Sequence, residues 1–135
     1  MIRAVLIFFA LVIAASAAEL DVPCFVDVLP LKETGLRWDG RPGLCGELSA
    51  WQITETVWRQ HMAPAPFSDA REPALARVCA LRHVRWLVAQ IERRGLVVTP
   101  QRVATAWHFG LSRAARSTEW GLEVANLYND LPCPR

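Results

Sequence analysis

The chain has 135 residues, room for one domain, and 53% of them are hydrophobic, with ample Leu, Val and Trp for one core. Its 15 Lys and Arg against 13 Asp and Glu leave a formal net charge of +2, which speaks against a nucleic-acid partner. No second long apolar segment follows the N-terminal one, so no membrane span is expected in the mature chain.

The N-terminus reads as a secretory signal peptide over residues 1–17, with the mature domain over 18–135. Arg3 supplies the positive start, Ala4 to Ile13 is an unbroken apolar run, and Ala15-Ser16-Ala17 offers the small residues that signal peptidase needs. A run of about ten apolar residues is too short for a bilayer, which takes about 20. No Cys directly follows it, and Asp21-Val22-Pro23-Cys24 is not a lipidation box. The protein is therefore expected in the periplasm or outside the cell.

Asp21 is expected to cap a first helix with Pro23 in its opening turn, running to Glu33 or Thr34 and stopping at Gly35. Pro30 interrupts it on paper: it cannot donate to the Val26 carbonyl, so a kink or restart is expected there. Leu36 to Leu48, with Gly40, Pro42, Gly43 and Gly46, reads as a loop or short hairpin. Ser49 is expected to cap a helix bearing Trp51, Ile53, Val57 and Trp58, ended by Ala63-Pro64-Ala65-Pro66. The longest helix opens at Pro73 and closes before Gly95. Leu81, Val84, Leu87, Val88 and Ile91 form its apolar stripe, and Arg77, Arg82, Arg85, Arg93 and Arg94 its polar face. Thr99-Pro100 starts another helix that ends at Gly110. Ser117 starts the last, striped by Trp120, Val124, Leu127, Tyr128 and Leu131. The fold class expected is mostly α, a small domain of about five helices with one irregular Gly-rich lobe.

Four cysteines in an exported domain argue for two disulfides among three possible pairings. Cys24–Cys133 would tie the termini and Cys45–Cys79 would join an early loop to the central helix. A zinc site is not expected, because there is no C-x-x-C, and His61, His83 and His108 are far apart in sequence.

Six Trp against one Tyr make the aromatic content unusual in kind. Trp86 and Trp120 fit core positions at helical spacing, whereas Trp107 suits either a core or a sugar-stacking role. Glu33 closes its helix beside Val28, Leu29 and Leu31. A carboxyl half-buried against apolar walls stays protonated near neutrality, which is what a general acid for a glycosidic oxygen needs. Glu47, near the Gly-rich loop, reads as a solvated loop residue or a second carboxylate. The arginines from Arg71 to Arg94 read as a solvated face or as a surface for anionic polymers.

Three blocks in order resemble the lytic transglycosylase and goose-type lysozyme (SLT-domain) family. Glu33-Thr34-Gly35 is similar to its E-S-G, and Gly43 through Gln52-Ile53 to its glycine-rich segment ending in Gln-Ile. Ala104-Thr105-Ala106-Trp107-His108-Phe109-Gly110 is similar to A-x-A-Y-N-A-G. Val57-Trp58 and the terminal segment Glu123 to Tyr128 fit the same order. The resemblance implies a lysozyme-like fold without a cofactor and cleavage of β-1,4 links between N-acetylmuramic acid and N-acetylglucosamine in peptidoglycan. It implies Glu33 as the single catalytic acid, with Gln52, Trp107 and His108 binding substrate. The chain departs from the pattern at Thr34, at Pro30 and in the length of the gap from Gly46 to Gln52. It departs too at Trp107, where the family has a Tyr that positions the Glu, and at His108, where it has Asn. Those departures leave a second reading, a non-catalytic glycan-binding protein of the same fold. A third is a disulfide-stapled helical interaction protein.

Overall fold

The computed structural model describes residues 19–133; the expected signal segment lies outside them. Five α-helices stand in order among the described residues: α1 Val22–Glu33, α2 Glu55–Met62, α3 Pro73–Arg93, α4 Pro100–Phe109 and α5 Glu119–Asp130. Short 3-10 turns at Phe67–Arg71 and Leu111–Arg113 join them. The one β pairing found there is a single antiparallel bridge between Leu48 and Ile53.

The Asp21 side chain accepts from the Cys24 amide at 3.0 Å and starts α1, as the sequence led us to expect. The restart at Pro30 does not occur, since α1 runs through it to Glu33. The carbonyl that Pro30 leaves without its helical donor, that of Val26, accepts instead from the Trp51 indole N–H at 2.8 Å. A side chain 25 residues away thus repairs the helix and docks the irregular lobe onto it. At the helix end the Thr34 hydroxyl lies 3.2 Å from both the Pro30 and the Ala50 carbonyl, again between α1 and that lobe. Gly35 follows with a φ of +59°, a backbone that side chains with a Cβ seldom adopt.

Ser49 does not cap a helix. It is buried in a tight turn in which Ser49 and Gln52 both take positive φ, 71° and 51°. Leu48 and Ile53 exchange backbone hydrogen bonds of 2.9 and 2.8 Å across it. Trp51 and Ile53 therefore anchor the turn to the core instead of forming a helical stripe. The cap of α2 is Thr54, whose side chain accepts from the Val57 amide at 3.3 Å.

Helix α3 is the spine. Ala76, Cys79, Ala80, His83, Val84, Leu87 and Ile91 are its buried residues, while Leu81 and Val88 of the expected stripe are only half-buried. It packs against α1, α2 and α4, and α5 packs against α1 and α4. Thr99 and Gly110 bound α4 as expected, but α5 is capped by Thr118, one residue after Ser117. The α4–α5 approach is close at Gly121, where a Cβ would lie 2.8 Å from the Gln101 carbonyl.

One disulfide forms among the described residues, Cys24–Cys133, with Cα atoms 5.6 Å apart. The second expected bridge, Cys45–Cys79, does not. Cys79 is sealed on the core face of α3, whereas Cys45 is exposed on the loop before the Leu48–Ile53 turn. Burial pushes the Cys79 thiol up to about 11, so it is an inert apolar filler.

Candidate functional site

Glu33 is the last residue of α1, and its side chain is 10% exposed. Its Oε1 accepts from the Trp107 indole N–H at 3.1 Å, across 74 residues of sequence. The Nδ1 of His108 lies 3.6 Å from the same oxygen. Trp107 and His108 are consecutive near the end of α4, so one helical segment brings two groups to one carboxyl. The imidazole of His108 is held in turn by stacking on Trp120 of α5, with centroids 4.4 Å apart and planes 17° from parallel.

These three residues open onto a cleft of about 320 Å³. The loop before the turn contributes Leu44 and Glu47, and the turn contributes Gln52 and Ile53. The start of α2 adds Thr54 and Val57, and α3 adds His83. Gln52 is fixed by its own amide, whose Nε2 donates to the Ser49 carbonyl at 2.9 Å. Glu47 is half-buried and faces the cleft rather than bulk solvent. Its Oε2 accepts from the Cys45 amide at 3.0 Å. Gly43 permits this: a Cβ there would collide with the side-chain oxygens of Glu47 and Gln52.

Burial is the main influence on the Glu33 carboxyl and pushes its pKa above the usual value. The charge of His108 and the hydrogen bonds from Trp107 and His108 act against that rise, and the negative charge of Glu47 adds to it. The result is a carboxyl that holds its proton at higher pH than a solvated one and has a fixed N–H donor on one oxygen. Such a group can give up a proton to a basic oxygen in the cleft and take one back.

Sequence reasoning placed Glu33, Gln52, Trp107 and His108 together, and the fold brings all four to one cleft. It gave no site role to His83, which lines the same cleft while 8% exposed. His61 and His83, distant in sequence, meet with ring nitrogens 2.9 Å apart. The signal available was the position of His83 within the buried stripe of α3, one residue before Val84 and four before Leu87. Trp86 and Trp120 are half-buried beside the core, and each also stacks on a cleft histidine. The described residues hold no cluster of three or more His, Cys, Asp or Glu suited to a metal ion. No helix among them is long and apolar enough to cross a membrane.

The fold and site thus define a small helical domain with a desolvated carboxyl in an aromatic-walled cleft. No protein-family model matches the chain, and no curated protein or solved structure matches it.

Proposed function

We propose that this chain is an exported peptidoglycan-cleaving glycosidase of the lytic transglycosylase or lysozyme type, with a lysozyme-like fold and Glu33 as its single catalytic acid. The observation that carries the reading is the Trp107–Glu33 hydrogen bond at 3.1 Å, which joins two of the three resembling blocks. The remaining block, Gly43 to Ile53, supplies Gln52 to the same cleft. The Cys24–Cys133 disulfide is in keeping with export to an oxidising compartment.

Glu33 protonates the oxygen linking N-acetylmuramic acid to N-acetylglucosamine, and the C1–O bond breaks as the leaving hydroxyl takes the proton. The N-acetyl group of the muramic acid stabilises the developing cation. The Glu33 carboxylate, held by the Trp107 N–H, then removes a proton from the muramyl C6 hydroxyl or from water. The first route gives a 1,6-anhydro sugar and the second a reducing end. Gln52, Trp107 and His108 orient the sugars around the acid, and no cofactor enters.

A second reading, a glycan-binding protein without turnover, is favoured by one contact. His108 Nδ1 lies 3.6 Å from Glu33 Oε1, and in its protonated form the imidazole favours the ionised carboxyl, which cannot donate a proton. Incubation with purified sacculi followed by mass spectrometry of the soluble fraction separates the readings. Anhydro or reducing muropeptides that disappear in Glu33→Gln support the enzyme. Retention on sacculi with no released fragments supports the binder. Neither release nor retention removes both.

A further inference from the structure

His83 is a buried titratable residue that the proposed mechanism does not use. Its ring stacks on Trp86, with centroids 5.5 Å apart and planes 14° from parallel, and lies 5.4 Å from the Trp107 ring. Its Nδ1 is engaged by Nε2 of His61 at 2.9 Å. Its other nitrogen, Nε2, has no hydrogen-bond partner among the described residues. It is not sealed either, since no buried side-chain nitrogen or oxygen there lacks a partner. The cavity that His83 borders is the cleft of Glu33. A polar ring more than nine-tenths buried, clamped on two sides and with one nitrogen left over, is built to meet a ligand.

The chemistry narrows the ligand. Burial and the neighbouring His61 push the His83 imidazole down to about 4, so it is uncharged at neutral pH. Burial and Arg82 lower His61 as well, so the pair is neutral and shares a single bridging hydrogen. If His61 donates, His83 carries its own hydrogen on Nε2 and donates into the cleft; if His83 donates, its Nε2 accepts there. A hydroxyl can answer either tautomer, because it both donates and accepts.

We propose that His83 is a saccharide-binding residue of the cleft, its Nε2 hydrogen-bonded to a sugar hydroxyl and its tautomer set by His61. This rests on the glycan-cleft reading of the site and adds to it a residue on α3, behind Trp107.

The test uses the oxidised Glu33→Gln protein, expected to hold substrate without turning it over, and a soluble tetrasaccharide of alternating N-acetylglucosamine and N-acetylmuramic acid. Calorimetric affinity and the imidazole 15N resonances are read together. On titration the His83 Nε2 resonance is expected to move. Adding His83→Phe, which keeps an aromatic ring against Trp86 but removes both ring nitrogens and with them the His61 contact, is expected to weaken binding by about threefold to tenfold. His83→Gln is expected to recover part of that loss. Binding of the tetrasaccharide with an unmoved Nε2 resonance, or equal affinity in His83→Phe, overturns the assignment and leaves the glycan reading standing. No binding by the protein with His83 intact removes the glycan reading and this assignment together. Should His83→Phe fail to fold, the resonance measurement alone decides.

Discussion

Glu33 owes its character to the point at which α1 stops. Its neighbours meet other parts of the fold: Lys32 pairs with Glu123 of α5, and the Thr34 hydroxyl lies between the Pro30 and Ala50 carbonyls. At its actual place burial raises its pKa, and Trp107 and His108 restrain the rise. Two outcomes follow. Trp107 donates to the ionised carboxylate and favours it, so Trp107→Phe should raise the Glu33 pKa further. Because a general acid works protonated, the alkaline limb of kcat/KM against pH should move to higher pH in Trp107→Phe, and likewise in His108→Ala. An unmoved limb would mean that the proton comes from another group. The second outcome concerns stability. A pKa raised above the unfolded value, near 4.5, contributes stability that is complete below that value and lost as pH rises through the folded pKa. Glu33→Gln stays neutral and escapes the loss. In urea denaturation it should be more stable than wild type at pH 7 and equal to it at pH 3. Lower stability at pH 7 would contradict a desolvated carboxyl.

Among the elements, the helices were largely legible in the sequence because their signals are local. Asp21 and Thr99 cap, Pro23, Pro73 and Pro100 open, and Gly95 and Gly110 close. The Leu48–Ile53 turn was not, since Trp51 stands seven residues before Trp58 and Ile53 four before Val57, spacings that also suit a helix. What favours the turn is tertiary: the Val26 carbonyl, orphaned by Pro30, needs a donor, and from this turn the Trp51 indole supplies it. The same distance effect hid the His61–His83 contact, which depends on how α2 lies on α3. The four candidate site residues were found because they stand in short blocks. Glu47 and His83 were given no firm role because nothing beside them in sequence marks a cleft. The Pro30–Trp51 exchange can be checked by a double-mutant cycle. Trp51→Phe leaves a buried carbonyl unpaired and should cost about 1–3 kcal/mol beyond the change in packing. Pro30→Ala supplies an N–H to that carbonyl and should recover part of the loss. Strict additivity of the two substitutions would show that the indole is not replacing the missing helical bond.

At the scale of the whole molecule, the site is a joint between the first and last parts of the chain. Helix α1 brings Glu33, α4 brings Trp107 and His108, and α5 supports His108 through Trp120. What keeps α1 and α5 in register is a set of contacts distributed along them. The disulfide joins Cys24 to Cys133, the Asp21 amide donates to the Tyr128 hydroxyl at 2.9 Å, Phe25 meets the Tyr128 ring edge-on, and Lys32 pairs with Glu123. Closing a loop this long restricts the unfolded chain, so reduction should lower stability by about 2–4 kcal/mol. The shift is expected in the denaturation midpoint of Cys24→Ser or of reduced wild type. An unchanged midpoint would show that the helices hold their register without the bridge.

The central claim, that a proton from Glu33 cleaves peptidoglycan, is tested most directly by the rate at which oxidised protein releases soluble muropeptides from purified sacculi. Wild type is expected to release them steadily, and Glu33→Gln, equally folded and at the same concentration, to fall to the no-protein background. Equal release by both proteins, or none from wild type, would contradict it.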